Sequence, residues 1–193
     1  CTFDEGSQLE QAEAVLAERK GEVALVTIDI GGNDLLACVR GGAQIDAACV
    51  TKGVATVEKN LPTILERLRT AAGPEVPVLV LGYYNPWVAA QTLDQPVEGV
   101  EEAAQGYADL SDAIEAAADG AGATFVSLDE AFATNDTTPT EIGGRTIPEN
   151  AARVCTLTNL CPARDIHFSD EGAATVARVL ADAATTAGVG AAS

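Results

Sequence analysis

Methionine is absent from the 193 residues, histidine occurs once, and aromatic side chains make up only 4% of the chain. Lacking an initiator, the chain is expected to be a processed product or an internal piece of a longer polypeptide. Basic residues are scarce as well: 11 Lys and Arg stand against 29 Asp and Glu, a net charge of −18. Long-range repulsion at that charge argues against nucleic acid or an anionic membrane as partner. No apolar stretch approaches the roughly 18 to 20 residues that a membrane span needs. The N-terminus, Cys1-Thr2-Phe3-Asp4-Glu5, also lacks the basic and apolar layout of a signal peptide.

What is present is an ordinary globular composition, 47% hydrophobic and 21% charged. One domain spanning residues 1–193 is the expectation. The five cysteines fall as Cys38 with Cys49, Cys155 with Cys161, and Cys1 alone. That spacing suggests two local disulfides. Zinc would want tighter Cys-x-x-Cys pairs with histidine support, so no metal is expected. A cytosolic chain with free thiols is the alternative, but two local pairs beside the candidate site favour a secreted protein. Cys1 then wants a partner outside this chain.

Hydrophobic periodicity divides the chain into alternating helices and strands. Ser7-Gln8-Leu9-Glu10 is a capping box, opening a helix to about Lys20 that Gly21 closes. Residues 23 to 30 read as a strand. A short helix carrying Leu35, Leu36 and Cys38 follows, then a long one from about Cys49 to Ala72, in which Pro62 should produce a kink. Residues 76 to 81 form the clearest strand, continuous in hydrophobicity and therefore covered on both faces. A helix from about Val97 to Ala118 leads to a third strand, Thr124 to Leu128. Residues 133 to 163, rich in Thr, Pro, Gly and Asn, read as a long surface excursion closed by the second cysteine pair. A last helix runs from Ser169 to about Ala187. Strands alternating with long helices imply a three-layer α/β/α sandwich on a parallel sheet, with the site outside the carboxyl ends of the strands.

Two segments fall at that end. Gly31-Gly32-Asn33-Asp34 follows the first strand, and Asp165-Ile166-His167-Phe168-Ser169-Asp170-Glu171-Gly172 precedes the last helix. Asn33 is the right kind of donor for an oxyanion, although for such a motif on its own an Asx-turn or helix cap is the commoner explanation. His167 suits a general base, although a solitary histidine near a helix start is more often an exposed cap. Tyr84, Trp87 and Phe168 lie near strand ends, either lining an acyl pocket or covering the sheet edge.

Taken together, the two segments resemble the third and fifth sequence blocks of the SGNH (GDSL-type) ester hydrolases. The cysteine-flanked helix after Gly-Gly-Asn-Asp, the turn Tyr83-Tyr84-Asn85-Pro86-Trp87 and the cysteine-bearing excursion are similar to secreted actinobacterial-type lipases and esterases. The resemblance implies an SGNH/flavodoxin-like fold, acyl-enzyme chemistry on a small ester or lipid, and no cofactor. It makes His167 the base and Asn33 an oxyanion donor. Two departures stand out. The family's nucleophile, in a Gly-Asp-Ser turn on a first strand, has no counterpart here, because Ser7, Ser111, Ser127, Ser169 and Ser193 all lie outside such a turn. The orienting aspartate usually sits three residues before the histidine, where this chain has Arg164. Either Asp165 or a backbone carbonyl near Ala163 or Arg164 must take that part.

The resulting expectation is the C-terminal portion of an SGNH-type esterase or lipase, with its nucleophile upstream and the family's first strands missing from the sheet. An upstream segment, disulfide-linked through Cys1, is expected to cover the bared strand at residues 23 to 30. The alternatives are a catalytically inactive binding domain of the same fold, and an amidohydrolase that uses Cys1 as an N-terminal nucleophile.

Overall fold

The computed structural model describes residues 3, 6–40, 44–92 and 97–190. Ser7 accepts a hydrogen bond from the Glu10 amide while the Glu10 carboxylate accepts from the Ser7 amide, and this capping box opens helix α1 (Gln8–Glu18). Strand β1 (Val26–Ile28), the short helix α2 (Gly32–Leu36) and a small ribbon, β2 (Val39–Arg40) with β3 (Gln44–Ile45), lead into α3 (Ala47–Ala72), which continues past Pro62. Then come β4 (Val78–Leu81), a 3-10 segment over Pro86–Thr92, α4 (Val100–Ala121), β5 (Thr124–Val126) and α5 (Asp129–Phe132). A hairpin, β6 (Pro139–Ile142) with β7 (Arg145–Pro148), precedes α6 (Glu149–Leu157), α7 (Leu160–Ala163) and α8 (Asp170–Thr186).

The main sheet is parallel, in the order β1-β4-β5, with Ile28 level with Val80 and Val80 level with Phe125. All four residues of β4 are buried. Their side chains alternate, as a strand's must: Val78 and Val80 enter a cluster with Val54, Leu61 and Leu65 of α3 and Leu110 and Ile114 of α4. Leu79 and Leu81 enter a second cluster with Ala151 and Val154 of α6 and Val176 of α8. Helices thus cover both faces, and the architecture is the expected α/β/α sandwich. A fully buried valine or leucine contributes roughly 1.5 to 3 kcal/mol, so this one strand anchors both halves of the core.

The first strand is shorter than its hydrophobic run. Only Val26–Ile28 pair, with Val78–Val80 of β4, and among the described residues no strand pairs with β1 on its other side. Val26 and Ile28 are half-buried and Thr27 is exposed. Beside this open edge runs an apolar groove of about 590 Å³, walled by Leu9, Val15 and Leu16 of α1 and by Leu25 and Ile28.

The larger correction concerns residues 133 to 163. The first half, the β6/β7 hairpin, does lie at the surface, but the second half does not: Ala151, Val154 and Leu157 of α6 are buried and complete the second core cluster. Their spacing of three is helical, but the run is too short to stand out against its polar neighbours. Two disulfides are formed. Cys38–Cys49 ties the exit of α2 to the first turn of α3, and Cys155–Cys161 ties the last turn of α6 to α7. Loops this short gain on the order of 2 to 3 kcal/mol from closure. Cys1 and its expected partner lie outside the described residues.

At Gly172 the backbone of α8 comes close against that of α6. A Cβ on Gly172 would lie 1.8 Å from the Leu157 carbonyl oxygen, which cannot yield as a side chain would. Gly172→Ala should therefore cost about 3 kcal/mol or more, measurable as a lowered Tm in thermal unfolding. An unchanged Tm would mean that the α6–α8 contact is looser than described.

Candidate active site

A cavity of about 260 Å³ opens outside the carboxyl ends of the three strands, where loops leaving a parallel sheet converge. The exit of β1 contributes Asp29, Gly32 and Asn33; the exit of β4, Leu81 to Tyr84; the exit of β5, Leu128. Ile166, His167 and Phe168 close it from the C-terminal side. Asn33 and His167, remote in sequence, therefore line one space.

The Gly-Gly turn has a local cause at each position. Gly31 has φ +114°, a conformation that side chains other than glycine rarely adopt. Gly32 lies flat against the Tyr83 ring, where a Cβ would come within 2.6 Å of the ring carbon. Helix α2 starts at Gly32 with no side-chain cap, so Asn33 is not its capping residue. The Asn33 side chain is exposed, with no hydrogen-bond partner among the described residues.

His167 Nδ1 lies 2.5 Å from Asp165 Oδ1, and the His167 amide donates to that same oxygen at 2.9 Å. Asp165 therefore reaches the imidazole from two residues away, its one oxygen shared between the His167 amide and ring. The backbone bond first, then the ring contact, hold the Asp165 carboxyl below the ordinary aspartate range. With Nδ1 occupied, Nε2 is the nitrogen left to exchange a proton with another group.

All three tyrosines of the chain line the cavity. Burial pushes each phenol up, Tyr107 to about 12 and Tyr83 and Tyr84 further; the Asp29 carboxylate adds to the effect at Tyr83, against the Gly32 amide. They stay protonated at any working pH. Tyr84 stacks on Phe132 with ring centroids 4.7 Å apart and contacts Phe168 at 5.9 Å. Of the three aromatics singled out in the sequence, Tyr84 and Phe168 thus border the cavity. Trp87 does not; it packs against the α3/α4 cluster. Tyr83 belongs to a turn already marked and Asp29 adjoins another, whereas Tyr107, in mid-helix, carried no sequence signal. No described serine lines the cavity.

A family model described as GDSL-like Lipase/Acylhydrolase family matches residues 2–175. No curated protein matches the chain. Among solved structures it is similar to a phospholipase A1 from Streptomyces albidoflavus NA297, with 20% identity and a TM-score of 0.51 over 89% of this chain and 75% of that one. At that identity the likeness carries the fold alone.

The Asp165 carboxylate should titrate below the ordinary aspartate value of about 3.9. A depressed carboxylate keeps its favourable contact above the ordinary value and loses it as pH falls through the lower one. The Asp165–His167 pair should therefore survive mild acid, which a carboxyl-detected NMR titration reads directly. A midpoint at or above 3.9 would mean that the contact does not persist in solution.

Proposed function

The chain belongs to the GDSL-like lipase/acylhydrolase family, and from that premise we propose that it forms the larger part of a serine ester hydrolase. The observation that carries this reading is the convergence of Asn33 and an Asp165-paired His167 on one aromatic-walled cavity. His167 Nε2 takes the proton of a serine hydroxyl as that oxygen attacks an ester carbonyl. Asp165 holds the tautomer and stabilises the imidazolium that forms. Asn33 donates to the oxyanion of the tetrahedral intermediate, and His167 returns the proton to the leaving alcohol. Water then repeats the sequence on the acyl-enzyme.

The nucleophile is expected on a segment preceding Cys1 that pairs with the open edge of β1 and fills its apolar groove. An exposed strand edge with such a groove invites pairing. The two disulfides support an oxidising, extracellular setting. The substrate is a small ester or lipid whose acyl group meets Tyr84 and Phe168. One observation favours the alternative of an inactive binding domain, namely that no described serine borders the cavity.

In the full chain, a fluorophosphonate probe should label a single serine preceding Cys1. His167→Ala should abolish both labelling and cleavage of a short-chain activated ester, and Asn33→Ala should lower turnover roughly a hundredfold or more. Asp165→Ala should approach the loss seen with His167→Ala; near-full activity would return the orienting part to a backbone carbonyl. Absence of any labelled serine would favour the binding-domain alternative. If the upstream segment is cleaved but held through Cys1, the non-reducing intact mass should exceed that of this chain and fall on reduction. A mass unchanged by reduction would dismiss the Cys1 linkage.

A further inference from the structure

The imidazole of His167 is 83% exposed and the Asp165 side chain 48%. Packing does little to aim a ring that bare, so its direction follows from the backbone that carries it. Three successive carbonyls of that backbone are each taken by a donor from outside the segment. Ile166 O accepts from the Tyr84 hydroxyl, His167 O from the Asn159 amide at 3.0 Å, and Phe168 O from Asn159 Nδ2 at 3.1 Å. Asn159 O in turn accepts from the Ala163 and Asp165 amides, at 2.9 and 3.3 Å. The turn between α6 and α7 thus grips the His167 segment from one side, and the phenol at the end of the central strand grips it from the other.

Both donors are themselves held. Tyr84 is buried, with its ring against Phe132. Asn159 follows Thr158, a buried threonine whose hydroxyl donates to Val154 O at 2.6 Å and accepts from the Leu160 amide at 3.2 Å. The Cys155–Cys161 disulfide spans the same turn. We propose that Tyr84 and Asn159 are positioning residues for His167, fixing the peptide frame from Ile166 to Phe168 so that the imidazole meets both Asp165 and the reacting hydroxyl. The proposal rests on the reading of His167 as general base given above. It assigns Tyr84 a task separate from lining the acyl cavity, because its hydroxyl is committed to the Ile166 carbonyl.

Tyr84→Phe keeps the stacked ring and removes only the donor; Asn159→Ala removes the grip on Phe168 and carries the same test if Tyr84→Phe fails to fold. In the full chain, either variant should lower kcat for a short-chain activated ester by about tenfold to a hundredfold, with KM within about twofold. NMR on the same variants should show the Asp165 carboxyl titrating at higher pH as its contact with His167 loosens. A fall in kcat/KM carried by KM alone would overturn the proposal and make Tyr84 a substrate contact. Unchanged kcat with an unchanged Asp165 titration would also overturn it. If the parent protein cleaves no ester, the hydrolase reading fails, and the titration still decides whether the two donors hold the Asp165–His167 frame.

Discussion

Everything in this molecule hangs on a strand of four buried residues. Val78 to Leu81 must satisfy their backbone polar groups through neighbouring strands and their side chains through helices on either face. The alternation of side chains sends Val78 and Val80 to α3 and α4, and Leu79 and Leu81 to α6 and α8. Parallel pairing aligns the carboxyl ends of all three strands, which brings Asn33, Tyr83, Tyr84 and Leu128 around one opening. The site is thus a consequence of strand direction: turns that are far apart in the chain have no other place to emerge.

His167 reaches that opening by a different route. It stands on no strand; its segment is hydrogen-bonded to the turn joining α6 and α7. Ser169 completes the attachment, its hydroxyl accepting from the Gly172 amide as the cap of α8 and donating to Thr156 O. Two of the short links in this region, Ser169 N to Leu157 O and Gly172 against the same carbonyl, show how closely α8 and α6 are joined. The exposed Asp165–His167 contact is thus carried on a peptide frame that is itself hydrogen-bonded to the turn beneath it.

The scarcity of aromatic residues is offset by their placement. Every tyrosine lines the cavity, and Phe132 and Phe168 stand against Tyr84. Aromatic rings supply large apolar walls with few rotatable bonds, and their buried phenols remain hydrogen-bond donors across the accessible pH range. The acidic surface contributes little to stability. An ion pair as exposed as Arg19 with Glu22 is screened.

The sequence by itself determined the layers and the motifs. The capping box at Ser7, the unbroken apolar run of β4, the cysteine spacing and the two short segments around Asn33 and His167 all depend on local chemistry, and local chemistry is written in neighbouring residues. What lay beyond it were contacts between distant parts of the chain. That α6 belongs to the core, that β1 pairs over three residues rather than eight, that Trp87 turns toward α3 and α4 while Tyr107 reaches the cavity, and that Asp165 rather than a carbonyl meets His167 Nδ1 were decided only when the layers packed. Helix and strand periods report which face is apolar; they do not report which partner will cover it, since burial is non-directional and the partner is chosen by the packing of the whole.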